Sequence, residues 1–211
     1  MRTDVIQRMG GKYHHGDLRD ELVRVSVDLI AELGMDGFSV AQVAKRAKVS
    51  PAAPYRHFPD RSSLLAAVAT NTACQLNEQV QAAVTKAGPD AVAQLAAASG
   101  AYTCFLIDRR IGFQAIFADG LEDPKYTELH ETRRALIDTY LTLCLAVCPY
   151  PPAALELMEQ VHAQGHGYGE LFLNGHYRRL DYTAAQVTAK STTAARIVIE
   201  AHRDGHGPAQ A

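Results

Sequence analysis

Residues 38–65, FSVAQVAKRAKVSPAAPYRHFPDRSSLL, decide the fold of this chain. Ser39 and Gln42 form the S-x-x-Q capping box that starts a helix. Phe38 and Val43 occupy the two positions of a hydrophobic staple across the same helix start. The apolar positions that follow continue for about two turns. A short amphipathic helix is therefore predicted here, with its basic residues in water.

A second short helix is predicted after a tight connection. Ser50 supplies the cap, and Pro51 takes the first helical position, where its missing N–H is not needed. Pro54 removes the backbone bond back to the Ser50 carbonyl, so this helix is predicted to begin a turn late or to wind tightly. A further proline ends the segment. Asp60 then caps a long helix through about Lys86.

The rest of the chain is predicted to be helical, so the fold class is all-α. A first helix is predicted after a cap at Asp17 and before Gly34 and Gly37. Its apolar stripe consists of Leu18, Leu22, Val25, Leu29 and Leu33. Later helices are predicted at about 90–108, 110–118, 124–148, 152–175 and 182–203.

Composition excludes several classes of protein. The chain has 211 residues, of which 47% are hydrophobic and 21% charged, and this suits a protein with a buried core. No apolar run of about 20 residues, as a membrane span requires, and no export signal is evident, so a cytoplasmic protein is expected. The four cysteines make no CxxC pair, and Cys144 and Cys148 are expected to be small core residues.

Charge is distributed unevenly along the chain. The net charge is -2, but residues 1–65 hold 10 Lys and Arg against 8 Asp and Glu. A cluster of cations attracts a polyanion more strongly than the net charge indicates. The cations of residues 38–65 are Lys45, Arg46, Lys48, Arg56 and Arg61.

The segments DLRDELVRVSVDLIAELGMDGFSV, AQVAKRAKVS and PYRHFPDRSSLL, all within residues 17–65, resemble the amino-terminal domain of TetR/AcrR-family transcriptional regulators. The resemblance implies an all-helical homodimer with an amino-terminal three-helix DNA-binding domain and a helical carboxy-terminal domain that binds a small effector and dimerises. The expected divisions are a basic arm at 1–16, the DNA-binding domain at 17–65 with its helix-turn-helix at about 39–58, the effector and dimerisation domain at 66–203, and a tail at 204–211.

A second resemblance concerns residues 162–176, HAQGHGYGELFLNGH. This segment looks like the helix that names the WHG carboxy-terminal domain found in a subset of these regulators. His166 and Gly167 match the last two letters of that motif. His162 stands where the tryptophan is expected, and the chain has no tryptophan. A WHG-type carboxy-terminal domain is therefore the expectation.

The DNA contacts follow from the resemblance and from side-chain chemistry. Tyr55 and His57 resemble the family positions that bind backbone phosphate, and Arg61 resembles a family lysine. The alternative is that Tyr55 and His57 are ordinary surface residues. The arm cations Arg2, Arg8, Lys12 and His14 either reach a minor groove or belong to a disordered tail. The full set of candidates is Ser39, Lys48, Ser50, Ala52, Ala53, Tyr55, Arg56, His57 and Arg61.

The aromatic residues after residue 100 are the candidate effector pocket, because ligand sites are mostly apolar. A plain aromatic core is the alternative. His162 and His166 stand one helical turn apart, with His176 further on, but no complete metal-ligand set accompanies them, so no metal and no cofactor are expected. The candidate pocket residues are Tyr102, Phe105, Leu106, Phe113, Phe117, Tyr168 and Phe172.

The carboxy-terminal helices are the predicted dimer interface. Gly165, Gly167 and Gly169 weaken a helix unless another backbone approaches closely, and the last helix is rich in alanine and threonine. The predicted function is a dimeric repressor of a palindromic DNA operator, released by a small apolar or aromatic effector and without membrane contact. The alternatives are an all-helical ligand carrier or enzyme, and a constitutive DNA-binding regulator without an effector. No motif of a catalytic site is present.

Overall fold

A computed structural model describes residues 15–205 and confirms the all-α prediction. The described residues form eight α-helices and two short 3-10 helices, without a β-strand in this part of the chain. Residues 1–14 of the predicted basic arm, with Arg2, Arg8, Lys12 and His14, lie outside the described residues, as does the end of the predicted tail, while His15 and Gly16 belong to the first helix. The helices are α1 His15–Gly37, α2 Val40–Arg46, α3 Arg61–Ala87, α4 Ala91–Arg109, α5 Phe113–Ile116, α6 Thr127–Val147, α7 Pro151–Leu173 and α8 Ala184–Gly205.

Helix α1 uses most of its predicted apolar stripe. Leu22, Val25 and Leu29 are buried, but Leu33 is 47% exposed, so the prediction of Leu33 as a core residue is wrong. The backbone leaves helical geometry at Gly34, which has a φ of +74°, so the helical repeat that buries the stripe ends directly after Leu33. A left-handed φ suits glycine, which has no Cβ to clash. The helix begins at His15, two residues before the predicted cap.

Helix α2 has the predicted start. The Ser39 hydroxyl accepts a hydrogen bond from the Gln42 N–H at 3.3 Å, and it donates to Gln42 Oε1 at 2.8 Å. The glutamine side chain therefore bonds to the capping hydroxyl rather than completing the usual box to the Ser39 N–H. Phe38 and Val43 are both buried, as the staple requires.

The second element of the helix-turn-helix is a 3-10 helix, Pro54–Arg56. Because Pro54 has no N–H, the Ser50 carbonyl instead accepts from Ala53 N–H at 2.9 Å and closes a turn. The Pro54 carbonyl then accepts from the N–H groups of both His57 and Phe58, at 3.0 and 2.9 Å. Both predicted effects of this proline, a late start and tight winding, are confirmed. The predicted cap at Ser50 and first helical position at Pro51 are wrong, because the helix begins at Pro54 and Ala53 is its N-cap residue.

Helix α3 packs against both the amino-terminal helix α1 and helices of the carboxy-terminal part. Asp60 caps it by accepting from the Ser63 N–H at 2.7 Å, as predicted, and these bonds lower the pKa of its carboxyl. The helix runs to Ala87 and packs against α1, α4, α5 and α6. Its buried side chains, from Leu64 to Val80, make one continuous core with those of α1 and α4.

Helix α4 is the central helix of the carboxy-terminal part and packs against α3, α6, α7 and α8. It is also long and apolar enough to resemble a membrane span, with a mean hydropathy of 1.2, in contrast to the expectation that no such run exists. Two thirds of that stretch (67%) is buried inside the fold, which is typical of a core helix.

The glycines of α7 serve close packing within the chain. A Cβ on Gly165 would lie 3.1 Å from Ser99 Oγ, and one on Gly169 would lie 2.6 Å from Leu106 Cδ2, both on α4. The predicted reason for the glycine run, close approach of another backbone, therefore holds for Gly165, whose Cβ would also lie 3.4 Å from the Ser99 carbonyl oxygen, but the neighbour is α4 of the same chain. At Gly169 the neighbour is the Leu106 side chain rather than a backbone. Gly167 faces open space.

Two later elements differ from their predicted bounds. The helix predicted at 110–118 is the single turn α5, because Arg110 adopts left-handed geometry with φ of +54° and ends α4. The last helix continues through Gly205, beyond its predicted end at 203. His202, near that end, is buried and its Nε2 lies 2.8 Å from the Ala153 carbonyl of α7.

Candidate functional site

The helix-turn-helix presents Tyr55 and Arg56 to solvent. Tyr55 is 54% exposed, which is unusual for so large a side chain, while the neighbouring Phe58 is buried. Arg19 of α1 covers the Phe58 ring, with its guanidinium carbon 5.4 Å from the ring centre. His57 is half-buried between these residues. The structure therefore anchors the segment through Phe58 and leaves the phenol and one guanidinium free to meet a partner.

The cationic side chains of the helix-turn-helix include one that forms an ion pair and others that do not. Arg46 makes a two-pronged bond to Glu32 of α1, at 2.6 and 2.8 Å, and this pairing lowers the pKa of the glutamate. Lys45, Lys48 and Arg56 form no ion pair with any residue that the structure describes. Arg46 thus stabilises the α1–α2 packing, and the positive field that attracts an anion comes from the other three.

Lys48 occupies the turn that follows α2. Its φ is +57°, and the Val49 and Lys48 N–H groups bond to the Ala44 and Lys45 carbonyls, at 3.0 and 3.2 Å. This is the Schellman arrangement, in which glycine is the usual residue. A lysine there carries a backbone cost of about 1 kcal/mol. The exposed ammonium group lies at the junction of the two helical elements.

Arg61 has partners inside the molecule. Its Nη2 donates to the Met35 carbonyl at 2.8 Å and its Nε to the Phe38 carbonyl at 3.4 Å. The guanidinium also lies over the Phe38 ring at 5.5 Å. Arg61 therefore braces the connection between α1 and α2, and only its remaining N–H groups are available to another partner. The Ser39 hydroxyl is similarly committed to the α2 cap.

The turn before the 3-10 helix offers little hydrogen bonding. Ser50, Pro51 and Ala52 are exposed and Ala53 is half-buried. Ser50 is the one hydroxyl among them, while alanine and proline can contact only an apolar group such as a thymine methyl. The surface is thus equipped for phosphate contacts more than for reading base edges.

The start of α6 lies against the helix-turn-helix. Lys125 and Tyr126 face His57 and Phe58 across a hollow of about 380 Å³. The Lys125 ammonium pairs with Asp123 at 3.2 Å and lies over the Tyr126 ring at 4.9 Å. The carboxy-terminal part therefore lines the same hollow as the segment that carries the candidate DNA-binding residues.

Part of the predicted effector pocket forms one aromatic cluster. Phe113 stacks on Tyr102 with ring centres 4.3 Å apart and meets the edge of His162 at 4.9 Å. His162 also packs on Tyr140 at 4.3 Å. Phe117 lies 5.7 Å from Phe113 and is 43% exposed. We call Tyr102, Phe113, Phe117, Tyr140 and His162 the aromatic cluster.

The remaining predicted pocket residues lie elsewhere. Phe105 and Leu106 are buried in the core of α4. Tyr168 stacks on Tyr177 at 5.8 Å, and Phe172 lies beneath Arg178 at 6.0 Å, both near the end of α7. Tyr168 and Phe172 were predicted to line one pocket with the aromatic residues of α4, but their ring contacts are with Tyr177 and Arg178.

Sequence reasoning missed Tyr140 and the aromatic role of His162. Tyr140 lies four residues after Leu136 and four before Cys144, both buried, so its place on the apolar face of α6 was a usable signal. Tyr140 O–H donates to the Ala98 carbonyl at 3.2 Å, and burial raises the pKa of this phenol. His162 was considered only for a metal or for the missing tryptophan.

The histidines of α7 are held by aromatic neighbours. His166 Nδ1 lies 2.8 Å from the Tyr102 hydroxyl. Burial lowers the pKa of His162 to about 4, so this imidazole is neutral at pH 7. Within residues 15–205, no group of three or more His, Cys, Asp or Glu side chains is placed to hold a metal ion. Cys144 is buried, which raises the pKa of its thiol to about 12.

Comparison with known proteins agrees with this architecture. Residues 22–68 match the family described as bacterial regulatory proteins, tetR family. No curated protein sequence matches the chain. A solved structure of a protein with unknown function from Rhodococcus sp. RHA1 is 28% identical, over 93% of this chain and 98% of that chain, with a TM-score of 0.70.

Two further solved structures share the fold at lower identity. A putative TetR-family transcriptional regulator from Rhodococcus sp. is 17% identical over 87% of this chain and 99% of its own, with a TM-score of 0.59. A single-residue variant of TetR from Acinetobacter baumannii AYE, in complex with minocycline, is 19% identical over 93% of this chain and 99% of its own, also with a TM-score of 0.59.

Proposed function

Because the chain carries the amino-terminal domain of tetR-family bacterial regulatory proteins and has the fold of TetR-family transcriptional regulators, we propose that it is a dimeric repressor of a palindromic DNA operator. Residues 17–65 bind DNA. Residues 66–203 dimerise and hold a small apolar or aromatic effector that releases the operator. The protein acts in the cytoplasm, without a cofactor and without catalysis.

The observation that carries the DNA-binding part is the free cationic surface of the helix-turn-helix. Lys45, Lys48 and Arg56 have no ion-pair partner among the described residues, and Tyr55 is exposed beside them. Free cations are what neutralise phosphates, and a phenol donates to a phosphate oxygen. His57 and Arg61 add donors at the edges of this surface. The sparse turn at Ser50–Ala53 implies that affinity depends on phosphate contacts more than on base contacts.

The proposed dimer interface is the outer face of α8 with the end of α7. Ile197 is 64% exposed and Leu171 of α7 is 45% exposed, which is unfavourable in water for an isolated subunit. Tyr168 and Ile197 flank one shallow hollow on this face. Exposed residues recur every four positions along α8, so they lie on one stripe. That stripe consists of Ala185, Ala189, Thr193 and Ile197.

The proposed effector site is the aromatic cluster, which the structure holds between α4, α5, α6 and α7. The cluster consists of aromatic rings with a few polar groups, which are two phenol hydroxyls and one imidazole, and small-molecule sites commonly have this composition. The TetR variant from Acinetobacter baumannii was solved with minocycline bound, so this fold accepts a ligand of that size in at least one case. Helix α6 carries Tyr140 of the cluster, and its first residues line a hollow together with His57 and Phe58, so a movement of α6 is a path from the cluster to the DNA-binding surface.

Gel shifts test the proposal and separate it from its alternatives. The full-length protein is titrated against the DNA that flanks its own gene, with unrelated DNA of equal length as the control. Preferential retardation of the flanking DNA is expected, and its absence would favour an all-helical carrier or enzyme. Repeating the titration with aromatic metabolites is expected to release the DNA. If none of them releases it, a constitutive regulator is favoured.

A further inference from the structure

The single turn α5 is weakly anchored by its own sequence. It has only four residues, and no side chain caps its start at Gly112. Phe113 and Phe117, the residue that follows the turn, are four positions apart: Phe113 stacks on Tyr102, while Phe117 is 43% exposed, and Ile116 between them is buried. Isolated helical turns of this length are not stable in water. The position of α5 therefore depends on contacts with its neighbours.

Arg133 of α6 provides the main polar tether for this turn. Its Nε donates to the Ile116 carbonyl at 2.7 Å and its Nη1 to the Leu121 carbonyl at 3.3 Å. Its guanidinium lies 5.6 Å from the Phe117 ring centre. These contacts hold the end of α5 and the following loop, and buried Ala115 and Ile116 pack the turn against α3. The Phe113 ring itself is held by ring packing and by a backbone hydrogen bond from Phe113 to the Tyr102 hydroxyl.

A buried polar atom in the aromatic cluster lacks a partner. His162 Nε2 is inaccessible to water and makes no hydrogen bond with the described residues. The two nearby hydroxyls are already used, since Tyr102 O–H pairs with His166 and Tyr140 O–H donates to Ala98. Buried nitrogens almost always have a partner, so His162 Nε2 is a polar atom that one further hydrogen bond would satisfy. Phe113 is the ring that lies against it.

We propose that Phe113 is a displaceable plug in the effector site, and that the effector is an uncharged phenol. Its ring replaces Phe113 against Tyr102, and its hydroxyl hydrogen-bonds to His162 Nε2. This inference rests on the proposed function, because it names the ligand class of the same site. A hydroxyl both donates and accepts, so it suits His162 in either neutral tautomer.

Two other ligand classes fit the cluster less well. A plain hydrocarbon would fill the space of Phe113 but would leave His162 Nε2 without a hydrogen-bond partner. The free-energy cost of this buried, unsatisfied nitrogen would then remain in the complex. A carboxylate would bring a negative charge among Tyr102, Tyr140 and a neutral imidazole, and a buried unpaired charge is strongly unfavourable. Phenols are therefore expected to bind more tightly than either.

The experiment uses three probes of the same shape: p-cresol, toluene and p-toluate. Their dissociation constants for the full-length protein are measured by calorimetry at pH 7, without DNA. We expect p-cresol to bind about tenfold more tightly than toluene, as one buried hydrogen bond implies. p-Toluate is expected to bind most weakly. Equal affinities for p-cresol and toluene, tighter binding of p-toluate, or no binding of any probe would overturn the proposal.

Two variants locate the site. His162→Phe is expected to weaken p-cresol about tenfold and to leave toluene unchanged, and Phe113→Ala is expected to strengthen both, because the plug no longer competes. Phe172→Ala, a ring on the same α7 helix outside the cluster, is the matched control and should change neither. Loss of p-cresol binding in the control but not in His162→Phe would contradict the assignment.

A measurement on the unaltered protein covers the case in which a variant fails to fold. The ¹⁵N chemical shift of His162 Nε2 is expected to move on addition of p-cresol and to stay in place with toluene. Identical shifts with both probes would refute the hydrogen bond. Because these experiments contain no DNA, they are independent of operator binding. A protein that binds DNA and is released only by non-phenolic compounds would refute this inference and leave the proposed function standing.

Discussion

At the scale of single residues, Lys48 combines a structural cost with a proposed function. Its left-handed backbone suits glycine, and its ammonium group is free among the described residues. Replacing Lys48 with glycine is expected to raise the free energy of unfolding by about 0.5–1 kcal/mol and to weaken DNA binding. Urea denaturation and a gel shift at fixed salt measure the two effects.

The control for Lys48→Gly is Lys45→Ala. This variant removes a free charge from the same surface with helical backbone geometry retained, so it should weaken DNA binding and leave stability nearly unchanged. If Lys48→Gly lowered stability, the assigned backbone cost of Lys48 would be wrong. If the same variant left DNA affinity unaltered, the proposed phosphate contact of Lys48 would be wrong.

His162 predicts how stability depends on pH. Its pKa falls from 6.5 in the unfolded chain to about 4 in the fold, because burial disfavours the charged imidazole. The unfolded chain therefore binds an additional proton between these values. Above pH 6.5 the contribution of His162 to the free energy of unfolding is fully present. As the pH falls from 6.5 towards 4, the free energy of unfolding decreases by about 3 kcal/mol. Tyr140, which packs on the ring, stays neutral throughout this window because its own pKa is raised.

Urea denaturation from pH 7 to pH 4.5 measures this dependence. His162→Phe is expected to flatten it, while His176→Phe, at an exposed position after α7, should leave it as in the unaltered protein. An equally steep loss of stability in His162→Phe would show that other groups cause the acid sensitivity.

At the scale of elements, the cap of α3 links stability to DNA binding. Asp60 and Asp90 make the same cap, each accepting from a backbone N–H, at 2.7 and 2.6 Å. Either aspartate replaced by alanine should cost about 1 kcal/mol of stability. Only Asp60→Ala should also weaken DNA binding, because it loosens the turn that carries Arg61. Equal effects of both variants on a gel shift would disprove this link.

Local rules predicted the helix-turn-helix well and the effector site poorly. Caps, staples and prolines act within a few residues, so the start of α2 and the late, tight 3-10 turn at Pro54 follow from sequence. The partners of Arg61, the pairing of Arg46 with Glu32 and the packing of Tyr140 on His162 join distant segments. Such contacts depend on how helices pack, and periodicity alone does not determine which buried faces meet.

At the scale of the whole molecule, the outer face of α8 should determine the oligomeric state. Ile197→Arg places a charge on the proposed two-fold interface and is expected to yield monomers by light scattering at micromolar concentration. Ile137→Arg introduces the same charge at an exposed isoleucine of α6, which is not part of the proposed interface, and this variant should remain dimeric. A monomeric unaltered protein, or a dimeric Ile197→Arg variant, would contradict the interface.

The most direct test of the account is DNA binding by variants of the helix-turn-helix surface at fixed salt. Tyr55→Phe and His57→Ala are each expected to lower affinity about tenfold, for the flanking DNA and for unrelated DNA alike, since phosphate contacts are independent of sequence. Lys86→Ala, at the far end of α3, serves as the control and should bind as the unaltered protein does. Affinities for both DNAs that are unchanged by Tyr55→Phe and His57→Ala would contradict the central claim that this surface holds the DNA backbone.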